Sequence, residues 1–569
     1  MRIDDPRVQE CLEESFGIES FQGLQEVAVS AVLEGRDLLV TWPTGAGKSL
    51  VYQLPALLSD GMTLVVSPLI ALMKDQVDAL RARGIAASFL NSSLTGKQRA
   101  NRLEEARQGR YDLLYVTPER FRRPDFLAAL PDLDVSRLAV DEAHCMSQWG
   151  HDFRPDYSRL GTYRRLLGSP PTIALTATAT TAVAEDICQN LELVDPLILR
   201  TGIDRENLFL SVQIVEDKDE KLHLLAERIR SLDGPGIVYS ALIKDLEALH
   251  GELLRMGIPS LVYHGKLSAE ERRSMQERFM ATEHMVVLAT NAFGMGIDKA
   301  DIRFVLHAQI PRTLEAWTQE IGRAGRDGKP SWCELFYLEE DLAIQQNFVD
   351  WANPSLDYLM QVFETLDHWG ERIMAKDLGD LREELLVKNR GDQRVSQCLR
   401  WFDVLGVTKG SIETGDLQVV RKLTSDELPA FFGTGEKKVA DLQSLLALLN
   451  FVKDEDSCRW EGLSRWFDLE APKQPCGHCD FCMEQDDYRA LHFGVRRERA
   501  VDREMSLADR ARFERGDWVK LSRGSLAQVQ KVEGEGRSQR LQVQLAEGLE
   551  VIWVRADPRR VRRIEDAGG

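Results

Sequence analysis

Two short segments carry the chemistry of this chain: TWPTGAGKS at 41–49 and DEAH at 141–144. In the first, Gly45 and Gly47 let backbone N–H groups close around a β-phosphate at the positive end of the helix that follows. Lys48 reaches the β- and γ-phosphates, and Ser49 offers its hydroxyl to Mg²⁺. Pro43 and Thr44 take the turn, because Trp42 stands where the full pattern has its leading glycine. In the second segment Asp141 is suited to hold Mg²⁺ through water. Glu142 is placed to orient and deprotonate an attacking water, since an in-line displacement needs an oriented nucleophile. One chain with both segments in this order is expected to bind ATP and Mg²⁺ and to hydrolyse the nucleotide.

The elements that must position these groups are legible around them. RDLLVTW (36–42) is an apolar run ending in a turn, and KSLVYQLPALL (48–58) resumes with helical spacing, the strand–loop–helix context that a phosphate loop requires. RLAV (137–140) is a short apolar strand, so Asp141 and Glu142 project from its carboxyl end, where α/β sheets place their ligands. Residues 36–178 alternate such runs with helical stretches, a βα pattern for a parallel sheet. The pattern repeats in GIVYS, SLVYHG, MVVLATN, RFVLHAQIP and CELFYL, without a second phosphate loop. Two tandem parallel-sheet α/β motor domains of the RecA-like kind are therefore expected, with ATP in the cleft and a junction near Thr201–Asn207. QEIGRAGRDG (319–328) sets Arg323 and Arg326 beside Gln319 in the second half, where an arginine crossing to the γ-phosphate stabilises transition-state charge. ATNAFGMGID (289–298) is a Gly-rich segment after a strand and is expected to read cleft closure. GTGEKK (433–438) has the look of a phosphate loop, but no apolar strand precedes it and it is expected to be a decoy.

Composition bounds the rest. At 569 residues and 43% apolar residues, the chain has material for several cores. Its net charge of −19 argues mildly against nucleic acid, although a local basic stripe outweighs the sum. No apolar run reaches the roughly 18 residues of a membrane span, and Met1–Glu14 is too charged for a signal peptide. No membrane is expected, and a cytoplasmic location is. Nine cysteines are present, of which Cys458, Cys476, Cys479 and Cys482 cluster as C-x17-C-x2-C-x2-C. In a reducing compartment that spacing favours a closed, structural Zn²⁺ site over disulfides. His478 could replace one sulfur, but it lies between two close ligands and is expected to point away.

Residues 353–423 change register to short amphipathic helices, LDYLMQVFETLDHW and RVSQCLRWFDVLG, followed by VTKGSIETGDLQVVRKL, a hairpin with Thr414-Gly415 at its turn. Helices then a hairpin outline a winged helix, with a plain helical connector as the alternative. From residue 483 onward, short alternating strands with Gly turns indicate a small β-barrel. That tail holds 18 Lys/Arg against 16 Asp/Glu and ends in RADPRRVRRI, which suits either a nucleic-acid rim or a protein-docking barrel. The implied division is 1–203 and 204–345 for the motor domains, 353–425 for the winged helix, 436–485 for the zinc module and 508–566 for the barrel.

The set of motifs resembles superfamily 2 helicases, and specifically the RecQ family. DEAHCMSQWGHDFRPDY (141–157) is similar to the family's acidic motif with its aromatic-rich loop, and FGIESFQGLQ (16–25) to its adenine-reading segment. SPLIALMKDQV (67–77), YVTPER (115–120) and TATAT (176–180) resemble its strand-contact and coupling motifs, and PCGHCDFC its zinc frame. The resemblance implies an ATP-dependent DNA helicase moving 3′ to 5′ on single-stranded and tailed or branched DNA, in replication, recombination or repair. It further implies that Gln25 reads the adenine edge, that Trp149, Phe153 and Arg154 sense single-stranded DNA, and that His144 and Gln319 couple DNA to hydrolysis. The stacking chemistry suits that role, since an aromatic ring stacks on any base. Two other readings use the same motor: an RNA-dependent remodeller, and an ATP-gated DNA clamp or annealing protein that does not unwind. Three departures stand out. Gln22 and Leu242 occupy positions where the family carries arginine, the helical stretch precedes the zinc module, and no C-terminal helical DNA-binding domain follows it.

Overall fold

The computed structural model describes residues 2–147, 153–293, 299–387, 389, 391–424, 427–429 and 431–493. In the C-terminal part it describes 515, 518–521, 526–533, 540–545, 551–555 and 561–563. Trp149 and residues 294–298 of the Gly-rich segment lie outside the described residues. By contacts the chain divides into two units, Met1–Tyr488 and Arg489–Gly569.

Runs of four to six Leu, Val, Ile, Ala and Thr residues, most of them buried on both faces, form the first sheet, as parallel strands covered by helices require. Its strands are β1 (Leu38–Thr41), β2 (Met62–Val66), β3 (Ala87–Leu90), β4 (Leu113–Val116), β5 (Val135–Val140), β6 (Thr172–Thr176) and β7 (Leu197–Arg200). All pair in parallel, in the order β3-β4-β2-β5-β6-β1-β7. The loops leaving β1 and β5, which hold the phosphate-loop and Asp-Glu segments, therefore open at one sheet edge. The second sheet contains β8 (Leu208–Ile214), β9 (Gly236–Tyr239), β10 (Ser260–Tyr263), β11 (Val286–Ala289), β12 (Phe304–His307) and β13 (Ser331–Tyr337). It is parallel throughout, in the order β10-β11-β9-β12-β13-β8.

A buried ion pair fixes the floor of the first lobe. Arg164 donates two hydrogen bonds to Asp37, at 2.9 and 2.8 Å, and Asp37 also accepts from the amides of Thr172 and Val194. Arg164 further caps the carbonyls of Pro170 and Leu191. Charge buried this deeply persists only when its donors and acceptors are satisfied in this way.

After the second sheet the chain leaves its own lobe. Helices Leu356–Trp369, Leu378–Glu384 and Arg394–Val404 bury Leu359, Val362, Leu366, Val395 and Phe402 in a core of their own. A minimal hairpin follows, β14 (Thr408–Lys409) against β15 (Gln418–Val419), the helix-then-hairpin outline expected from the sequence. This module docks on the first lobe: Arg122 pairs with Asp403, Arg159 donates to the carbonyl of Val404 at 3.0 Å, and Phe153 stacks on Trp401. The chain then returns. Gly435, at φ +71°, opens the long helix Glu436–Lys453, so GTGEKK is a helix start with no strand before it. That helix lies on the second lobe, where Asp441 accepts from Arg312 and Asn353, each within 2.8 Å.

In the C-terminal unit, β16 (Trp518–Leu521), β17 (Leu526–Glu533), β18 (Arg540–Leu545), β19 (Val551–Arg555) and β20 (Val561–Arg563) form an antiparallel sheet in the order β19-β18-β17-β16-β20. A bulge between Val529 and Lys531 bends β17 over a small core of Val519, Ala527, Val529, Leu541 and Val543. Among the described residues no helix is long and apolar enough to cross a membrane.

Candidate active site and zinc centre

The phosphate loop runs from the end of β1 to helix Leu50–Leu57. Gly45 and Gly47 sit at φ +87° and +71°, where a side chain is strained. A Cβ on Gly47 would lie 2.3 Å from Gln25 Nε2, so a larger residue there would be strained and would displace the Gln25 amide. Gln25 itself is buried, accepts from the amide of Gln22 at 2.9 Å and donates to Ala46 O and Gly47 O. Gln22 thus touches Gln25 through its main chain, which its side-chain identity does not alter. Lys48 Nζ turns to the carbonyls of Trp42 and Pro43, at 2.9 and 3.4 Å. Burial lowers its pKa, while Glu142 and Asp141 oppose that shift.

Asp141 and Glu142 leave the end of β5 beside this loop. The Asp141 carboxyl is pushed up to about 7, chiefly by burial and then by the neighbouring Glu142, with Lys48 pulling the other way. A carboxylate pair that repels itself next to a triphosphate cradle fits a divalent cation. Glu142 holds a left-handed backbone, φ 49° and ψ 46°, the kind of strain that concentrates at functional sites. Its Oε2 lies 3.4 Å from His144 Nδ1, which is 2.9 Å from Thr176 Oγ1. Thr176 Oγ1 donates onward to Thr178 O at 3.1 Å, so it accepts from His144 and the ring proton sits on Nδ1. His144 thus stands between the Glu142 carboxylate, within ion-pair distance, and the TATAT segment, to which it is hydrogen-bonded.

The second lobe brings its arginine turn to the same cleft. Arg326 Cγ lies 3.8 Å from the position of a Cβ on Gly45, and the Arg326 charge is among those felt by Lys48. Thr44 Oγ1 meets Gly322 O at 3.5 Å. Arg323 lies near Tyr239, whose phenol burial raises well above its ordinary range while the Arg323 charge opposes the shift. Gln319 lines the cleft together with Pro43, Thr44, Thr178, Arg205 and Trp460. In the loop after β9, Gln309 Oε1 accepts from Ser240 Oγ and the amides of Ala241 and Leu242 and holds the backbone there.

Of the DNA-sensing candidates, Phe153 is half-buried against Trp401 and Phe431, and Arg154 is half-buried with its amide on Cys145 O at 2.8 Å. Trp149 falls outside the described residues.

Cys458, Cys476, Cys479 and Cys482 bring their sulfurs within 4.8 Å of one another. A tetrahedral zinc with bonds of about 2.3 Å needs sulfur–sulfur edges near 3.8 Å, so the set fits a Cys₄ zinc centre. His478 turns away from it, as its place between two ligands implied: Nδ1 donates to Cys476 O at 2.6 Å and Nε2 to Asp204 Oδ1 at 2.8 Å. Burial opposes its charged form, but the Asp204 carboxylate outweighs that and the pKa is raised. Helix Arg459–Trp466 of the zinc module and the turn after it bridge the lobes, since Trp466 Nε1 donates to Glu315 at 2.8 Å and Asp468 accepts from the Thr181 amide at 3.1 Å.

Sequence reasoning missed Arg205, Asn207 and Trp460. No phosphate-binding or metal spacing marks them; only their position, at the lobe junction and within the zinc helices, could have drawn notice.

Two parallel α/β lobes, a phosphate loop and acidic pair on one, and an arginine turn from the other define a superfamily 2 nucleic-acid motor. The comparisons make this specific. A DEAD/DEAH box helicase profile matches residues 22–187, a helicase conserved C-terminal domain 220–328, and a RecQ zinc-binding domain 414–483. The probable ATP-dependent DNA helicase RecS of Bacillus subtilis is 37% identical over 482 residues, covering 84% of this chain and 92% of that protein. The ATP-dependent DNA helicase RecQ of the same organism is 44% identical over 346 residues, 60% of this chain and 58% of its own length. The chain belongs to the RecQ helicase family. Among solved structures, Mss116p bound to single-stranded RNA and AMP-PNP has a TM-score of 0.50 at 19% identity, covering 73% of this chain and 94% of that one. The DUF1998 helicase MrfA bound to DNA has a TM-score of 0.51 at 17% identity, covering 74% of this chain and 63% of that one. Both speak to the fold alone.

Proposed function

We propose that this chain is an ATP-driven DNA helicase that moves 3′ to 5′ and separates tailed or branched duplexes in replication, recombination or repair. The observation that carries the reading is the approach of Arg326 to Gly45 across the cleft, which brings a cation from one lobe to the phosphate cradle of the other. Gln25 reads the adenine, and Thr44, Gly45, Gly47 and Lys48 hold the phosphates. Ser49 and Asp141 hold Mg²⁺, which neutralises charge on the β- and γ-oxygens when bound. Glu142 orients the attacking water and takes its proton. Arg326, with Arg323 beside it, meets the charge that develops on the transferred phosphoryl group.

Coupling to DNA runs through Trp149, Phe153 and Arg154, with His144 and Gln319 relaying occupancy. Support for the relay comes from the position of His144, whose Nδ1 lies 3.4 Å from Glu142 Oε2 and 2.9 Å from Thr176 Oγ1. The domain limits 1–203, 204–345, 353–425, 436–485 and 508–566 belong to the same proposal. So does a cytoplasmic location, in keeping with a thiol-built zinc centre, and a protein partner on the C-terminal sheet beside its basic end.

Strand displacement of matched 3′-tailed and 5′-tailed duplexes, with Glu142→Gln as control, tests the reading. Separation of only the 3′-tailed duplex, lost in the control, is expected. DNA-stimulated hydrolysis without separation would assign the chain to clamping or annealing. Equal stimulation by poly-rU and oligo-dT would assign it to RNA.

A further inference from the structure

The junction between the lobes does more than connect them. Asp204 reaches outward to the zinc loop, accepting from His478 Nε2 at 2.8 Å. Arg205 reaches inward, donating to Gly322 O at 3.2 Å and to Gly325 O at 2.5 Å. Asn207 Nδ2 donates to the same Gly325 O at 2.8 Å and to Lys329 O at 2.9 Å. Gly322 immediately precedes Arg323, and Gly325 immediately precedes Arg326. Every main-chain carbonyl just named lies on the turn that carries the two arginines or at its end.

The fit is close enough to explain a glycine. Gly325 sits at φ +55°, and a Cβ there would lie 2.4 Å from Asn207 Nδ2. Just downstream, the junction is also tied to the zinc loop by main-chain bonds. Leu210 N donates to His478 O at 3.1 Å, Asp480 N to Leu210 O at 2.9 Å, and Val212 N to Asp480 Oδ2 at 2.9 Å. Leu210 and Cys479, a cysteine of the zinc centre, pair as an isolated parallel bridge.

We propose that residues 204–207 are a relay from the zinc loop to the arginine turn, with Arg205 and Asn207 as positioning residues for Arg323 and Arg326. A four-residue segment held at one end by the Cys476–Cys479 loop and at the other by two glycine carbonyls transmits displacement of either end to the other. The arrangement makes the zinc module a determinant of where the arginine sits at the phosphate cradle, in addition to its part in folding. This inference rests on the assignment of Arg326 to the γ-phosphate.

The test compares Arg205→Ala, Arg205→Lys, Asn207→Asp, His478→Ala and Arg326→Ala in the full chain. Readouts are zinc content, melting temperature, and kcat and KM for ATP with saturating single-stranded DNA. Arg205→Ala, Asn207→Asp and His478→Ala are expected to lower kcat by roughly tenfold to a hundredfold, as small misplacements of a catalytic group do, with KM little changed and zinc retained. Arg205→Lys is expected to recover little, because one ammonium cannot serve two carbonyls in the fork geometry of guanidinium. If Arg326→Ala loses kcat while Arg205→Ala, Arg205→Lys and His478→Ala keep it, the relay is overturned and the arginine assignment survives. If Arg326→Ala keeps kcat, the assignment itself fails. If kcat falls only together with zinc and melting temperature, the contacts are packing alone and the relay is again overturned.

Discussion

Phe153 stacks on Trp401 with ring centroids 6.0 Å apart and planes 29° from parallel, and the same ring meets Phe431 edge-on at 6.3 Å. A residue that follows the acidic segment of the first lobe is thus gripped by a module that the sequence attaches to the second. Truncating Trp401 to Ala removes a buried aromatic side chain, a change that costs roughly 3–5 kcal/mol in a core. We expect Trp401→Ala to lower the melting temperature and to reduce DNA-stimulated hydrolysis by a larger factor than basal hydrolysis. Equal losses in both rates would mark the contact as packing without a part in coupling.

Asp141 gives a pH signature. Its folded pKa of about 7 lies above the ordinary carboxylate value, so the folded state disfavours the ionised form. The resulting penalty is absent below about pH 4, grows as pH rises towards 7, and is constant above. Asp141→Asn should therefore raise the melting temperature of the nucleotide-free protein, more at pH 8 than at pH 5. Mg²⁺ binding to the wild type should strengthen across the same interval as the proton is displaced. A gain that does not change with pH would remove the carboxyl as its source.

The four sulfurs should behave as one metal site. Cys479→Ser is expected to lose zinc and to lower the melting temperature, and a chelator should lower that of the wild type but leave the variant's unchanged. A variant that keeps its full metal content would show the site to be misassigned.

Asp37 and Arg164 offer a test of the scaffold. Both are about 95% buried, so Asp37→Ala leaves a guanidinium uncompensated and should cost roughly 3–5 kcal/mol in denaturant unfolding. The exposed pair of Arg107 with Glu104 is the control; its loss should cost less than about 1 kcal/mol. A small effect at Asp37 would mean that water reaches Arg164 once its partner is gone.

Much of this site was legible because its chemistry dictates spacing along the chain. A phosphate loop needs closely spaced glycines before Lys48, and a Cys₄ centre needs two close pairs or a close run, so both stand out in the sequence. Parallel strands buried on both faces read as plain apolar runs, which is why the two sheets could be outlined. Arg205 and Asn207 were illegible because their partners are main-chain carbonyls more than a hundred residues away, and a carbonyl leaves no mark on residue type. Trp460 reaches the cleft from the zinc helices, where an apolar spacing looks like any core helix. Gln309, doing the backbone-holding work near Leu242, is likewise visible only once β9 and β12 lie side by side.

The excursion of residues 353–431 has a mechanical meaning. Two lobes joined at a single crossing can open, slide and twist about it. Here they are joined at residues 201–207 and again through a module continuous with the second lobe and pinned to the first by Phe153, Arg122 and Arg159. A hinge with a second strut is a closed linkage. Together with the tie through Trp466 and Asp468, the strut limits how far torsion and lateral slip can go without breaking a named contact.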